Sequence, residues 1–258
     1  MTTHNAHMKT ALVTGGNRGL GRSTAWHLAR DGVDVVLTYR ANADEAEAVV
    51  AEIEKLGRRA VALRLDTTRL DTFADFGDTF RMTLRNTFGR DDFDILINNA
   101  GAVAWTPLGG IDDTDIAHMV GVHFTGVVML TQELVGSIVD GGRIVNISTG
   151  LARFVGLGGY SVYASVKGAI EVWTRYLAKD LGPRRIAVNA IAPGATGTDF
   201  GGGSMRDDEL LRTGLSSVIA MGRVGEPDDI GAAVAAIASD AMGWVTGQRI
   251  EASGGMLL

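Results

Sequence analysis

The chain has 258 residues, 46% of them hydrophobic and 21% charged, and its 24 Lys and Arg against 30 Asp and Glu leave a net charge of −6. That balance excludes a disordered chain and a broad nucleic-acid-binding face, because such faces are basic. The absence of cysteine excludes disulfides, thiolate metal sites and a cysteine nucleophile.

Residues 1–8 are polar and lack the apolar core of a signal peptide, so they read as a frayed arm before one domain spanning residues 9–258. Thr10–Thr14 is a short apolar run that suits a strand buried on both faces, and it stops at Gly15-Gly16. Leu20–Arg30 has helical spacing, Val33–Tyr39 is β-branched and strand-like, and Asp44–Leu56 is an amphipathic helix capped by Gly57. Ala60–Leu65 reads as a strand, Asp71–Phe88 as a helix and Phe93–Ile97 as a strand. A long helix is expected over Asp113–Val139. Its most apolar part, Ile116–Leu134, is interrupted by His118, His123 and Gln132, and reads as a buried helix rather than a membrane span. Strand Gly142–Ile147, helix Tyr160–Leu181, strand Ile186–Ile191, helix Glu226–Ala238 and strand Gln248–Glu251 complete the alternation. Strands alternating with helices imply right-handed βαβ units: an α/β, doubly wound parallel sheet of about seven strands with helices on both faces. The one awkward stretch, 194–222, is long enough to be a lid over a site.

Three groups of residues carry chemistry. In Thr14-Gly15-Gly16-Asn17-Arg18-Gly19-Leu20-Gly21 the glycines allow a sharp turn, and the following helix N-terminus offers free N–H groups to a pyrophosphate. The second strand ends Tyr39-Arg40 without the acid that usually binds a ribose 2′-hydroxyl, so Arg40 and Arg18 suit a 2′-phosphate and favour NADP over NAD. Tyr163 and Lys167 stand at i and i+4 on one helix face, where an ammonium can lower the pKa of a phenol that exchanges a proton while hydride moves. Ser148-Thr149 follows a strand end, where an open sheet places its ligands, and offers a hydroxyl to the substrate oxygen.

Together these motifs resemble the short-chain dehydrogenase/reductase family, from Thr10 to the C-terminus and in the family's order. The resemblance implies a single Rossmann catalytic domain. It places Gly15, Asn17, Arg18, Gly19, Leu20 and Gly21 in the cofactor turn, Arg18 and Arg40 at the 2′-phosphate, Asp66 at the adenine, and Tyr39 and Thr67 among the cofactor-binding residues. Asn98-Asn99-Ala100-Gly101 matches the family's N-N-A-G motif along the cofactor. Pro193, Gly194, Thr196 and Thr198 match the turn that holds the nicotinamide carboxamide and phosphates. Tyr163 is implied as general acid/base, Lys167 as the residue that tunes it and hydrogen-bonds the nicotinamide ribose, both beside the cofactor, and Ser148 or Thr149 as the hydroxyl donor. The family's helix asparagine is replaced by His123, which puts its water relay in question.

The implied activity is NADP-dependent interconversion of a carbonyl and a secondary alcohol, with NADPH preferred over NADH. Enoyl reduction on the same scaffold and a non-catalytic NADP-binding scaffold or sensor stand as alternatives. Trp105, Arg153, Phe154 and Tyr160 are candidate walls of the substrate pocket, with Arg153 a candidate for an anionic group. A small-molecule carbonyl or alcohol is the expected partner, with no nucleic acid and no membrane. A cytoplasmic homo-oligomer, tetramer or dimer, is expected.

Overall fold

Alternation along the first strand decides the layering. In a computed structural model that describes residues 8–156 and 158–258, β1 (Thr10–Val13) is buried throughout. Successive side chains of a strand point to opposite faces, so Ala11 and Val13 enter one core and Leu12 the other. The arm expected over residues 1–8 lies, apart from Met8, outside the described residues.

The elements follow as α1 (Gly19–Arg30), β2 (Asp34–Tyr39), α2 (Ala43–Lys55), β3 (Ala60–Arg64), α3 (Phe73–Thr83), β4 (Phe93–Asn98), α4 (Asp113–Val120) and α5 (Gly126–Leu134). Then come β5 (Ile138–Ile147), α6 (Ser161–Leu181), β6 (Ala187–Pro193), α7 (Ser204–Asp207), α8 (Glu209–Ser216), α9 (Pro227–Ala238) and β7 (Arg249–Ala252). The strands form one parallel sheet in the order β3-β2-β1-β4-β5-β6-β7. Residues of α1, α2 and α9 (Ala25, Leu28, Val49, Ile230, Val234) pack on one face. Residues of α3, α5 and α6 (Phe76, Phe80, Leu130, Leu134, Ala178) pack on the other. The order reverses between β1 and β4, which opens a crevice at their C-terminal ends.

Two expected helices are shorter than their apolar patterns. The helix expected over Asp113–Val139 widens into a π-helical turn at Gly121–Thr125 and ends at Leu134; Ile138 already pairs with Phe93. Periodicity missed this because Ile138-Val139 continues the apolar run, while the register shifts so that Ile95 pairs with Arg143. The continuous stretch Asp113–Ser137 contains a window of mean hydropathy 1.2 and is by length and composition long and apolar enough to cross a membrane; here Leu130 and Leu134 are buried in the second core. The helix expected over Asp71–Phe88 is regular only over α3 and ends in a wide turn at Leu84–Phe88, closed by Gly89 at φ 70°.

The closest helix packing is α1 against α9. A Cβ built on Gly231 would stand 2.2 Å from Ser23 Oγ and 2.6 Å from its carbonyl carbon. Gly231→Ala therefore forces these helices apart, at a cost of about 1–3 kcal/mol. For a chain of this size the melting temperature should fall by roughly 2–10 °C in calorimetry; an unchanged value would contradict the packing.

Candidate active site

The crevice at the strand reversal is laced together by two side chains. Thr14 Oγ1 accepts from the N–H groups of Asn99 (2.9 Å) and Ala100 (3.0 Å). Asn99 Nδ2 donates back to the carbonyls of Thr14 (2.8 Å) and Gly15 (3.1 Å). The glycine turn and the Asn99-Ala100-Gly101 segment are thus one unit. Gly15 and Gly19 hold φ of 63° and 54°, and a Cβ on Gly21 would stand 2.1 Å from the Gly15 carbonyl oxygen. Such a turn needs glycine. The N-terminus of α1 has no side-chain cap and no acid in its first turn, so its N–H groups and partial positive charge suit an anionic diphosphate. Thr198, from the segment after β6, faces Gly19 across the crevice at 3.7 Å from that residue's ideal Cβ position.

At the outer end of the turn Arg18 and Arg40 are both exposed, and among the described residues neither makes an ion pair or a side-chain hydrogen bond. Asp66 accepts from the N–H (3.0 Å) and hydroxyl (2.7 Å) of Thr68. Burial works against ionisation there, but Thr68 and the nearby Arg40 outweigh it and hold the carboxyl below the usual range. Leu20, Tyr39 and Thr67 are half-buried around this end. Asn17 is not free: its Nδ2 donates to Glu45 Oε2 at 2.8 Å. Pro193 ends β6, Gly194 lies against Ser253, and Thr196 Oγ1 donates to the Gly194 carbonyl at 3.1 Å.

The catalytic candidates converge at the ends of β5 and α6. Tyr163, Lys167, Ser148 and Thr149 are all buried. Lys167 Nζ donates to the Ile147 carbonyl (2.5 Å) and lies 5.9 Å from the centre of the Tyr163 ring. Burial pushes its pKa down to about 7. Burial pushes the Tyr163 phenol up to about 12, with the Thr149 hydroxyl working in the opposite direction. Desolvation is the largest influence on both groups.

The two adjacent hydroxyls diverge. Ser148 Oγ donates to Glu171 Oε1 at 2.6 Å. Thr149 Oγ1 accepts from the Leu151 N–H at 3.3 Å, which leaves its own proton to donate, and it is the hydroxyl that stabilises ionised Tyr163. His123, in the π-helical turn, is 1% exposed and meets the Tyr163 ring edge-on at 5.3 Å. Its Nε2 lies 2.6 Å from the Ala102 carbonyl and 3.4 Å from the Ala102 N–H, and Nδ1 is buried without a partner among the described residues. Burial first, then the Lys167 charge, push it down to about 2, so it is neutral at physiological pH.

The mouth is aromatic. Trp105 stands edge-on to Tyr160 at 5.3 Å, the Thr106 N–H is tied to the Gly159 carbonyl (2.7 Å), and Phe200 lies 6.1 Å from the Tyr163 ring. Phe200 brings the segment 194–222 over the site. Arg153 does not face this space as an anion binder: it forks onto Glu251 (2.6 and 2.7 Å) and reaches the Met256 and Leu257 carbonyls. Phe154 packs with Ile219, Val224 and Met256 instead of at the mouth.

Sequence reading missed Glu45, Glu171, Arg249 and the buried chain in which Asn98 Nδ2 donates to Thr131 (3.1 Å) and Asn146 (2.9 Å), and Asn146 donates to Thr174 (2.9 Å). Only the polar residues inside apolar strand runs, Asn98 and Asn146, gave a signal.

The family model described as enoyl-(acyl carrier protein) reductase matches residues 15–257. A hydroxynaphthalene reductase-like protein of Metarhizium brunneum is 36% identical, the match covering 96% of this chain and 94% of that protein. Among solved structures, the promiscuous reductase LugOII, described as catalysing keto-reduction at C1 in lugdunomycin biosynthesis, superposes with a TM-score of 0.91 at 36% identity, covering 97% of this chain and 98% of that one. The angucycline C-6 ketoreductase LanV, solved with bound NADP, superposes with a TM-score of 0.90 at 36% identity, covering 96% and 95%.

The low Lys167 pKa has a consequence for stability. In the unfolded chain this amine titrates near 10.5, so between about 7 and 10.5 the unfolded state holds more protons than the folded one. Stability traceable to Lys167 therefore rises with pH across that window and is lost as pH falls towards 7. In urea unfolding, the stability of the wild type relative to Lys167→Met should grow from about pH 7 to about pH 9. A constant difference would contradict the burial argument.

Proposed function

The chain belongs to the short-chain dehydrogenase/reductase family, and on that premise we propose that it is an NADP-dependent reductase of aromatic ketones. The observation that carries this reading is the convergence of Thr149, Tyr163 and Lys167 beside a glycine turn whose outer end presents two unpaired arginines.

The residues present fit the cofactor. The α1 N-terminus with Gly15, Gly19 and Gly21 would hold the diphosphate, Arg18 and Arg40 the 2′-phosphate, and Asp66 the adenine. When bound, NADPH supplies the hydride. The Thr149 hydroxyl donates to the substrate carbonyl oxygen and fixes its place. Tyr163, kept protonated at neutral pH by burial, is in the state reduction needs: it gives its proton to the oxygen as negative charge builds there. The phenolate left behind is stabilised by the Thr149 hydroxyl and the Lys167 ammonium, then regains a proton from solvent. Neutral His123 lies against the Ala102 carbonyl and braces the Tyr163 ring.

The substrate class follows from the mouth. Trp105, Tyr160 and Phe200 offer ring faces and edges, and Arg153 is already committed to Glu251, so a flat, uncharged ring system fits. The relatives named as a hydroxynaphthalene reductase-like protein and an angucycline C-6 ketoreductase support the same class. The Thr149 hydroxyl beside Tyr163 favours a carbonyl oxygen over an enoyl double bond. A homo-oligomer, dimer or tetramer, belongs to the reading, since Trp244 and Tyr176 stand 99% and 70% exposed.

Absorbance at 340 nm tests this with NADPH or NADH against bicyclic aromatic ketones, hydroxynaphthoquinones and enones. Ketone-dependent oxidation is expected, with kcat/KM for NADPH at least about tenfold above NADH. Arg40→Ala should erode that preference by lowering kcat/KM for NADPH alone, by roughly tenfold, the order of one charge-assisted phosphate contact. A preference for NADH would overturn the cofactor assignment, and turnover of enones alone would overturn the carbonyl assignment.

A further inference from the structure

One guanidinium lies behind the site, and every edge of it is used. Arg249, on β7, donates from Nε to Glu171 Oε1 (2.8 Å), from Nη1 to Glu251 Oε2 (2.9 Å) and from Nη2 to the carbonyl of Thr149 (3.3 Å). All three side chains are largely buried, at 20%, 12% and 18% exposure for Arg249, Glu171 and Glu251. A planar guanidinium held on three sides has little freedom, so its third partner, the Thr149 peptide, is fixed relative to both carboxylates.

Each carboxylate reports to a different part of the fold. Glu171 lies on α6 one turn beyond Lys167, on the helix face that carries Tyr163 and Lys167. It also takes the Ser148 hydroxyl, which pulls that side chain away from Tyr163. Glu251 is shared with Arg153, which itself holds the Met256 and Leu257 carbonyls, and with Ser253 Oγ (2.7 Å). The network thus runs from the end of the chain, through two arginines and two carboxylates, to the peptide that carries the Thr149 hydroxyl. Thr149 is extended, at φ −156° and ψ 150°, and its hydroxyl lies between the Leu151 N–H and Tyr163. A rotation of its carbonyl moves the hydroxyl relative to Tyr163.

We propose that Arg249 is a positioning residue for the reaction: with Glu171 and Glu251 it clamps the Thr149 carbonyl and so aims the Thr149 hydroxyl at the substrate oxygen beside Tyr163. The proposal rests on the reading above, in which Thr149 touches the substrate. Arginine is required because a lysine ammonium in its place is a point charge that cannot serve three acceptors in one plane.

A double-mutant cycle in ketone reduction tests it, with NADPH affinity measured separately by fluorescence titration. Thr149→Ala is expected to lower kcat about a hundredfold and Arg249→Met about tenfold, each with NADPH affinity within about twofold of wild type. If Arg249 acts through Thr149, the double variant falls no further than Thr149→Ala alone, within about twofold. Costs that multiply, or an Arg249→Met enzyme with wild-type kcat, would overturn the proposal. Should Arg249→Met fail to fold, Glu171→Gln, with the same shape and one charge fewer, carries the same cycle with the same two outcomes. If Thr149→Ala alone keeps wild-type turnover, the reading of Thr149 itself has failed, and that outcome is distinct from additivity.

Discussion

The site depends on a cation that folding has taken out of water and that makes no salt bridge among the described residues. Lys167 has the Ile147 carbonyl as acceptor and the Tyr163 ring as neighbour, and its charge is destabilised down to about pH 7. Tyr163, one turn away, is destabilised as an anion by the same burial. Each therefore favours its neutral form until a negative charge develops between them, and then each offsets the cost of the other. A low-dielectric pocket makes that mutual gain large. The helix that carries both residues can hold them there because it is fixed to the sheet by the Asn146–Thr174 bond and by the Lys167 bond to β5.

The fold's contribution is to bring distant segments to one crevice. The reversal of strand order between β1 and β4 opens it, and Thr14 and Asn99 keep its two edges in register. β5 ends there two residues before Thr149, the segment after β6 crosses it with Thr198, and Phe200 closes over Tyr163. The glycines of the turn let the backbone approach where side chains would collide, as the 2.1 Å gap at Gly21 makes plain. The order of the strands and the position of the crevice are thus set by packing, whereas the chemistry rests on a few side chains at strand ends.

Much of this was legible in the chain because the signals are local. Alternation of apolar runs gave seven parallel strands, and the i, i+4 spacing of Tyr163 and Lys167 placed them on one helix face. The helix end near Leu134 was not legible, since Ile138 and Val139 are as apolar as the helix before them and only the pairing with Phe93 separates the two. The choice between Ser148 and Thr149 was equally hidden. It turns on Glu171, more than twenty residues away on another element, and no spacing rule links them. Arg153 looked like a substrate contact because sequence does not show that Glu251 waits for it on β7. Desolvation, the dominant influence on Tyr163 and Lys167, depends on the whole fold around them and leaves no mark in the motif itself.

The central claim is that Tyr163 supplies the proton while its neighbours bear the charge. Its most direct test is a single-turnover experiment with Tyr163→Phe, in which NADPH binding and NADPH oxidation by an aromatic ketone are followed on the same sample. The account predicts that NADPH still binds with near wild-type affinity while oxidation slows by about three orders of magnitude, the scale of general acid catalysis combined with loss of the charge-stabilising hydroxyl. Oxidation at the wild-type rate by the Phe variant would contradict it.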